Sequence, residues 1–116
     1  QIHKMKNLEK IGKKIRNSDI FKPRGVNVNF FEKINNNTLD VITYEKGVER
    51  LMLSCGSGSL AALFYASKNY DLSNVVDCMS EGGKLKISYD KDWKNVWLSG
   101  DTVLLFESFL NEKHFK

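Results

Sequence analysis

Of all the residues in this chain, Cys55 is the one whose type and setting point most directly to chemistry. It lies in Ser54-Cys55-Gly56-Ser57-Gly58-Ser59, which runs straight into the apolar stretch Leu60-Ala61-Ala62-Leu63-Phe64-Tyr65-Ala66. That pattern sets a thiol at the mouth of a helix. The first backbone amides of a helix have no internal acceptor and carry the positive end of the macrodipole, so they attract carboxylate or phosphate. Gly56 and Gly58 let a ligand come close to the backbone. The same field favours thiolate over thiol, which makes Cys55 a candidate base or nucleophile. Unpaired cysteine is also among the most buried residue types, and the hexapeptide alone leaves a packed structural role open.

Other reactive side chains are less telling. Cys78 falls in Val75-Val76-Asp77-Cys78-Met79 and reads as a buried strand residue. Two cysteines are too few for a disulfide framework, so both are expected to be reduced. His3 could orient a loop, although a structural or exposed role suits it better, and His114 lies in a charged tail from Asn111 to Lys116. No spaced set of His, Cys, Asp and Glu suggests a metal site. Asn29, beside Asn27, could satisfy backbone or touch a ligand. Trp93 and Trp97 read as structural, in a turn and a packed strand.

The elements that must hold Cys55 follow from periodicity. Residues Asn7 to Arg16 form a short amphipathic helix with Leu8, Ile11 and Ile15 at helical spacing. It ends before the loop Lys22-Pro23-Arg24-Gly25. Val26, Val28 and Phe30 alternate with Asn27 and Asn29, Asn35-Asn36-Asn37 makes a turn, and Thr38 to Tyr44 returns as the second strand of a hairpin. The helix Ser59 to Lys68 is apolar nearly all round, which predicts enclosure by protein. Strands follow near Asn74 to Met79, Lys84 to Tyr89, Asn95 to Leu98 and Thr102 to Phe109. The fold class is α+β: a curved, mostly antiparallel sheet wrapped around a central buried helix, with the Cys55 loop at the helix mouth.

Composition limits the alternatives. A length of 116 residues with 41% hydrophobic content allows one compact unit with a modest core. No apolar run approaches the ~20 residues that span a bilayer, nothing at the start resembles a secretory signal, and a soluble cytoplasmic protein is expected. The net charge of +4 invites a nucleic-acid reading. Only Lys10, Lys13, Lys14 and Arg16 cluster, however, and on an amphipathic helix they form a solvated face. Aromatic residues are not interleaved with that patch as single-strand binding requires.

Several ordered motifs carry a family resemblance: Phe21-Lys22-Pro23-Arg24-Gly25-Val26-Asn27-Val28-Asn29-Phe30, Tyr44-Glu45-Lys46-Gly47, Ser54-Cys55-Gly56-Ser57-Gly58, Glu81-Gly82-Gly83-Lys84-Leu85 and Val96-Trp97-Leu98-Ser99-Gly100. In this order and spacing the chain resembles the C-terminal half of diaminopimelate epimerases, from His3 to the final strand. The resemblance implies a cofactor-independent isomerase of lysine and peptidoglycan-precursor synthesis that interconverts LL- and meso-diaminopimelate. One cysteine removes the α-proton from one face and a second returns a proton to the other. Cys55 matches one base. The amides of Gly56 and Ser57 match the positions that hold the α-carboxylate. Asn27, Glu45 and Lys46 match those that read the distal groups of the substrate.

By the same resemblance, residues 1–116 are a single C-terminal epimerase domain, a fragment of a longer two-domain chain, and inactive alone because no second Cys-Gly-Asn-Gly loop is present. The implied partners are the small-molecule substrate diaminopimelate and the N-terminal half of the same polypeptide, with a homodimer left open and neither nucleic acid, membrane, metal nor cofactor. Three departures stand out. Lys46 replaces the usual arginine, a planar fork exchanged for a point charge. Leu51-Met52 replaces a common Glu-Thr pair in a segment one residue longer than usual. Gln1-Ile2 replaces Asn-Pro before His3. A related two-base racemase or isomerase, or a non-catalytic carboxylate-binding module, are the alternatives.

Overall fold

The computed structural model describes residues 2–110 and Lys113. Its elements are α1 (Leu8–Arg16), β1 (Val28–Asn35), β2 (Thr38–Glu45), β3 (Arg50–Met52), α2 (Gly56–Asn69), β4 (Val75–Ser80), β5 (Gly83–Tyr89) and β6 (Val96–Gly100), with single 3-10 turns at Ile2–Lys4 and Asp19–Phe21. The six strands form one open sheet in the order β1-β2-β4-β5-β6, and β3 also pairs with β2. All pairings are antiparallel except β2 with β4, where Leu39 lies opposite Cys78. The parallel pair exists because α2 carries the chain from β3 back across the sheet before β4 begins. The α+β class and the mostly antiparallel sheet packed on one helix agree with the sequence reading.

Period-two alternation divides β2 between two cores. Leu39 and Val41 face α2, joining Ala62, Leu63, Ala66, Val76, Cys78, Ile87 and Tyr89 in the main cluster. Ile42 faces the other way, onto Ile2 and Leu8. Full burial of a side chain such as Leu63 contributes about 1.5–3 kcal/mol relative to exposure, and this face of α2 is what holds the helix to the sheet.

The structure departs from the sequence reading in six places. The sheet covers one face of α2, through Gly58, Ser59, Ala62, Leu63 and Ala66. Phe64 and Tyr65 remain exposed on the other, although Phe64 meets the Trp93 ring edge-on at 5.0 Å. In α1, Ile11 and Ile15 are 40% and 37% exposed, and the chain packs instead along Leu8 and Gly12. The reason is close approach: a Cβ at residue 12 would lie 2.7 Å from the Tyr44 Cβ and Cγ. Arg16 continues that same row and is paired with Glu49 rather than solvated. No regular structure forms over residues 101–110, where a strand from Thr102 to Phe109 was expected, because no ladder partner lies alongside it among the described residues. Trp97, expected to be packed, is 75% exposed on β6, and β3 was not anticipated. His114 and most of the tail from Asn111 to Lys116 fall outside the described residues.

No described helix is long and apolar enough to cross a membrane.

Candidate functional site

Cys55 is the N-cap of α2. Its extended backbone lets the helix begin at Gly56, and its Sγ accepts a hydrogen bond from the Gly58 amide at 3.4 Å. The Ser57 hydroxyl lies 3.4 Å from the same sulfur. The Cys55 carbonyl accepts from the Ser59 amide at 2.9 Å. Of the helix's first four amides, the last two are therefore taken by Cys55 itself, which leaves those of Gly56 and Ser57 as the anion-attracting pair. The Gly58 amide and the Ser57 hydroxyl thus both reach a partly exposed sulfur, which fixes its position at the helix mouth.

Cys78 has the opposite surroundings. It is 1% exposed within the main core, and burial, with Asp77 alongside, pushes its thiol up to about 12. The structural reading of Cys78 therefore stands, and Cys55 is the cysteine of the pair open to a reactant.

Three other segments brace the helix mouth. Gly58 packs onto β1 and β2 so tightly that a Cβ would collide with Thr43 Oγ1 and lie 2.6 Å from Asn29 Oδ1. Those two side chains are joined by a 2.8 Å bond in which the Thr43 hydroxyl donates. The Asn29 side-chain oxygen thus accepts from a side chain rather than from backbone. The Gly82 amide donates to the Leu53 carbonyl at 2.6 Å, fixing the chain just before Cys55 to the β4-β5 turn. A Cβ at residue 82 would sit 2.8 Å from that carbonyl oxygen, so within the Glu81-Gly82-Gly83 motif it is Gly82 that the contact requires. Leu98 of β6 lies beside Gly56, 3.6 Å from where a Cβ would be.

A cavity of about 460 Å³ opens beside this mouth, and its wall includes Gly25, Asn27, Asn29, Lys46, Ser57 and Gly58. Asn27, Lys46 and Ser57, three of the residues singled out from sequence, therefore share one hollow. The Asn27 side-chain oxygen accepts from the Lys46 amide at 2.9 Å, closing the loop before β1 onto the turn after β2. Cys55 and Gly56 adjoin the hollow at the helix end without lining it. Glu45 lies outside it too, opposite Arg50 on β3, although alternation puts it on the α2 face with Val41 and Thr43. Gly47, at φ 90°, turns the chain immediately after Lys46. His3 lies elsewhere, its Nε2 2.6 Å from Asp40 Oδ1. A larger hollow of about 720 Å³ under α1 contains His3, but none of Cys55, Asn27, Glu45, Lys46, Gly56 or Ser57.

Sequence reasoning did not anticipate the Thr43–Asn29 seat or the Gly82 anchor. The available signal was glycine itself at positions 58 and 82, each facing another segment too closely for a side chain.

Comparison with known proteins finds relatives that match most of the chain. The chain is 40% identical over 110 residues to a diaminopimelate epimerase of Hydrogenobaculum sp. (strain Y04AAS1), a match covering 93% of this chain and 39% of the relative. It is 37% identical over 109 residues to that of Aquifex aeolicus, covering 92% and 39%. With that of Archaeoglobus fulgidus it shares 40% over 100 residues, covering 86% and 34%. Over most of its length the chain is similar to part of these diaminopimelate epimerases. It spans about two fifths of the length of these diaminopimelate epimerases. No family model matches it. The motifs that carried the resemblance are those that build the helix mouth and the hollow beside it.

Proposed function

We propose that this chain supplies one base and the distal recognition groups of a cytoplasmic, cofactor-independent diaminopimelate epimerase. The observation that carries the reading is the pairing of Cys55 Sγ with the unbonded Gly56 and Ser57 amides at the end of α2, next to a hollow walled by Asn27 and Lys46. The relatives' name adds the substrate class.

In this reading the two amides hold the α-carboxylate of LL- or meso-diaminopimelate. They stabilise the negative charge that spreads onto it when the α-proton leaves. Cys55, as thiolate, takes that proton from one face or, as thiol, returns one from its own face. The Gly58 amide and Ser57 hydroxyl hold the sulfur in a single place through both states. Inversion requires a second acid-base group on the opposite face, and Cys78 is too deeply buried to serve. The second base is assigned to the N-terminal half of the same polypeptide. At the far end of the substrate, Lys46 meets the distal carboxylate, while Glu45 and Asn27 meet the distal ammonium group.

The test is turnover. The complete enzyme should convert LL- to meso-diaminopimelate, and residues 1–116 alone, purified free of host enzyme, should not. Robust conversion by the isolated chain would overturn the two-half mechanism, and a complete enzyme that leaves diaminopimelate unchanged would overturn the substrate.

A further inference from the structure

We propose that Arg16 is a positioning residue that sets the distance between the two segments carrying Asn27 and Lys46, and so sets affinity for the distal end of the substrate. This rests on the distal-recognition roles given to Asn27 and Lys46 above. Arg16 sits behind the wall of the 460 Å³ hollow and is absent from its lining. Its Nε donates to Glu49 Oε1 at 2.7 Å. The same oxygen accepts from the Gly47 amide at 3.1 Å, the residue directly after Lys46. The other Glu49 oxygen accepts from the Tyr44 hydroxyl at 3.4 Å. On its opposite side the Arg16 guanidinium reaches Gly25 with Nη1 foremost, so close that any Cβ there would collide with that nitrogen. Gly25 is at φ 64° and stands two residues before Asn27.

The contacts close a ring. It runs from Arg16 through Glu49 and Gly47 to Lys46, across the 2.9 Å bond from the Lys46 amide to Asn27, and back through Val26 and Gly25 to Arg16. Glu49 itself holds a left-handed backbone at φ 61°, a conformation that a non-glycine residue adopts only when its surroundings compensate. Arg16 is 20% exposed and Glu49 41%, so the ion pair adds little to global stability, and its effect falls on where the two segments stand. The guanidinium is needed for its shape as well as its charge. Lysine could still pair with Glu49 but has no second nitrogen to reach Gly25 at the same time.

The experiment compares Arg16→Met, Arg16→Lys, Glu49→Gln and the Arg16→Met/Glu49→Gln pair in the complete enzyme, measuring kcat, KM for diaminopimelate, thermal midpoint and hydrogen exchange. Arg16→Met should raise KM about tenfold and leave kcat within about threefold, since misplaced binding groups act on affinity. Arg16→Lys should rescue part of that loss, and the double variant should be no worse than the worse single one. Amide exchange should quicken together in residues 22–27 and 45–50 and nowhere else. A lowered thermal midpoint with unchanged KM would reduce Arg16 to a structural residue and overturn the proposal. So would faster exchange in only one of the two segments. Should the wild-type enzyme not act on diaminopimelate, the functional reading fails by itself, and the exchange result decides the Arg16 ring independently.

Discussion

Replacing Gly58 by alanine sets helix propensity against packing, and the structure says which wins. In a helix interior alanine is favoured over glycine by about 1 kcal/mol, with less to gain in the first turn. Against that, a Cβ on residue 58 would collide with Thr43 Oγ1, and would lie 2.6 Å from Asn29 Oδ1 and 3.2 Å from Thr43 Cβ. Two of those atoms are the partners of the 2.8 Å Thr43–Asn29 bond. Relief by rotating Thr43 breaks that bond in a partly buried place, which costs about 1–3 kcal/mol. Relief by moving β1 away from α2 incurs the overpacking cost, again about 1–3 kcal/mol. Gly58→Ala should therefore destabilise by roughly 0.5–2.5 kcal/mol once a first-turn propensity gain of about 0.5 kcal/mol is subtracted. For a domain of this size that lowers the thermal midpoint by roughly 2–10 °C. Urea unfolding and a thermal scan check it. In a Thr43→Ala background the penalty should fall by about half, since one colliding group is gone. An unchanged or raised midpoint for Gly58→Ala would refute the reasoning, because propensity would then have prevailed over the close approach.

Three further outcomes follow from the same geometry. Iodoacetamide should alkylate Cys55 in the folded protein and reach Cys78 only on unfolding, as mass spectrometry of the two tryptic peptides will show, because Cys78 is buried and its thiol lies at about 12. The Gly47 amide, followed by Arg16, holds the Glu49 carboxyl below its ordinary 4.5. Its contribution to stability is thus present above that value and lost as pH falls through the lower folded-state one. The stability gap between wild type and Glu49→Gln should accordingly be small but open at neutral pH and close in acid. In the distal pocket, Lys46→Arg should preserve or improve affinity for diaminopimelate, while Glu45→Ala should weaken it. Equal substrate affinity for wild type and Glu45→Ala would favour a substrate lacking the distal amino acid group.

The legible parts of this fold were those whose cause is local. Cys55 followed by alternating glycine and serine and then an apolar run marks a helix start, expected at Ser59, and α2 begins three residues earlier at Gly56. Asn35-Asn36-Asn37 between alternating runs marks the β1-β2 hairpin, whose register the structure shows from Val28 opposite Tyr44. The illegible parts were those decided by a partner. β3 is three residues long and exists through its pairing with Thr43, Tyr44 and Glu45. The stretch from Thr102 to Phe109 has strand-like composition and no ladder alongside it. In α1 the helical period was visible but its buried face was misread. An apolar count favours Ile11 and Ile15, whereas Gly12 packs because it has no side chain to hold Tyr44 away. The site divides in the same way: residue types exposed the Cys55 mouth, while the meeting of Asn27 with Lys46, and of Arg16 with Gly25, depends on loops that only the folded chain brings together.

The central claim is that Cys55 moves the α-proton of diaminopimelate. Its most direct test is epimerisation of LL-diaminopimelate in deuterium oxide by the complete enzyme, its Cys55→Ala variant and its Cys78→Ala variant, following both inversion and deuterium gain at the α-carbon. Loss of a positioned acid-base group typically costs 10²–10⁴-fold. Inversion by Cys55→Ala should therefore fall by about that factor or more, while Cys78→Ala retains wild-type inversion. Cys55→Ala turning over within about tenfold of wild type, below the range expected for a lost acid-base group, would contradict the assignment of the base.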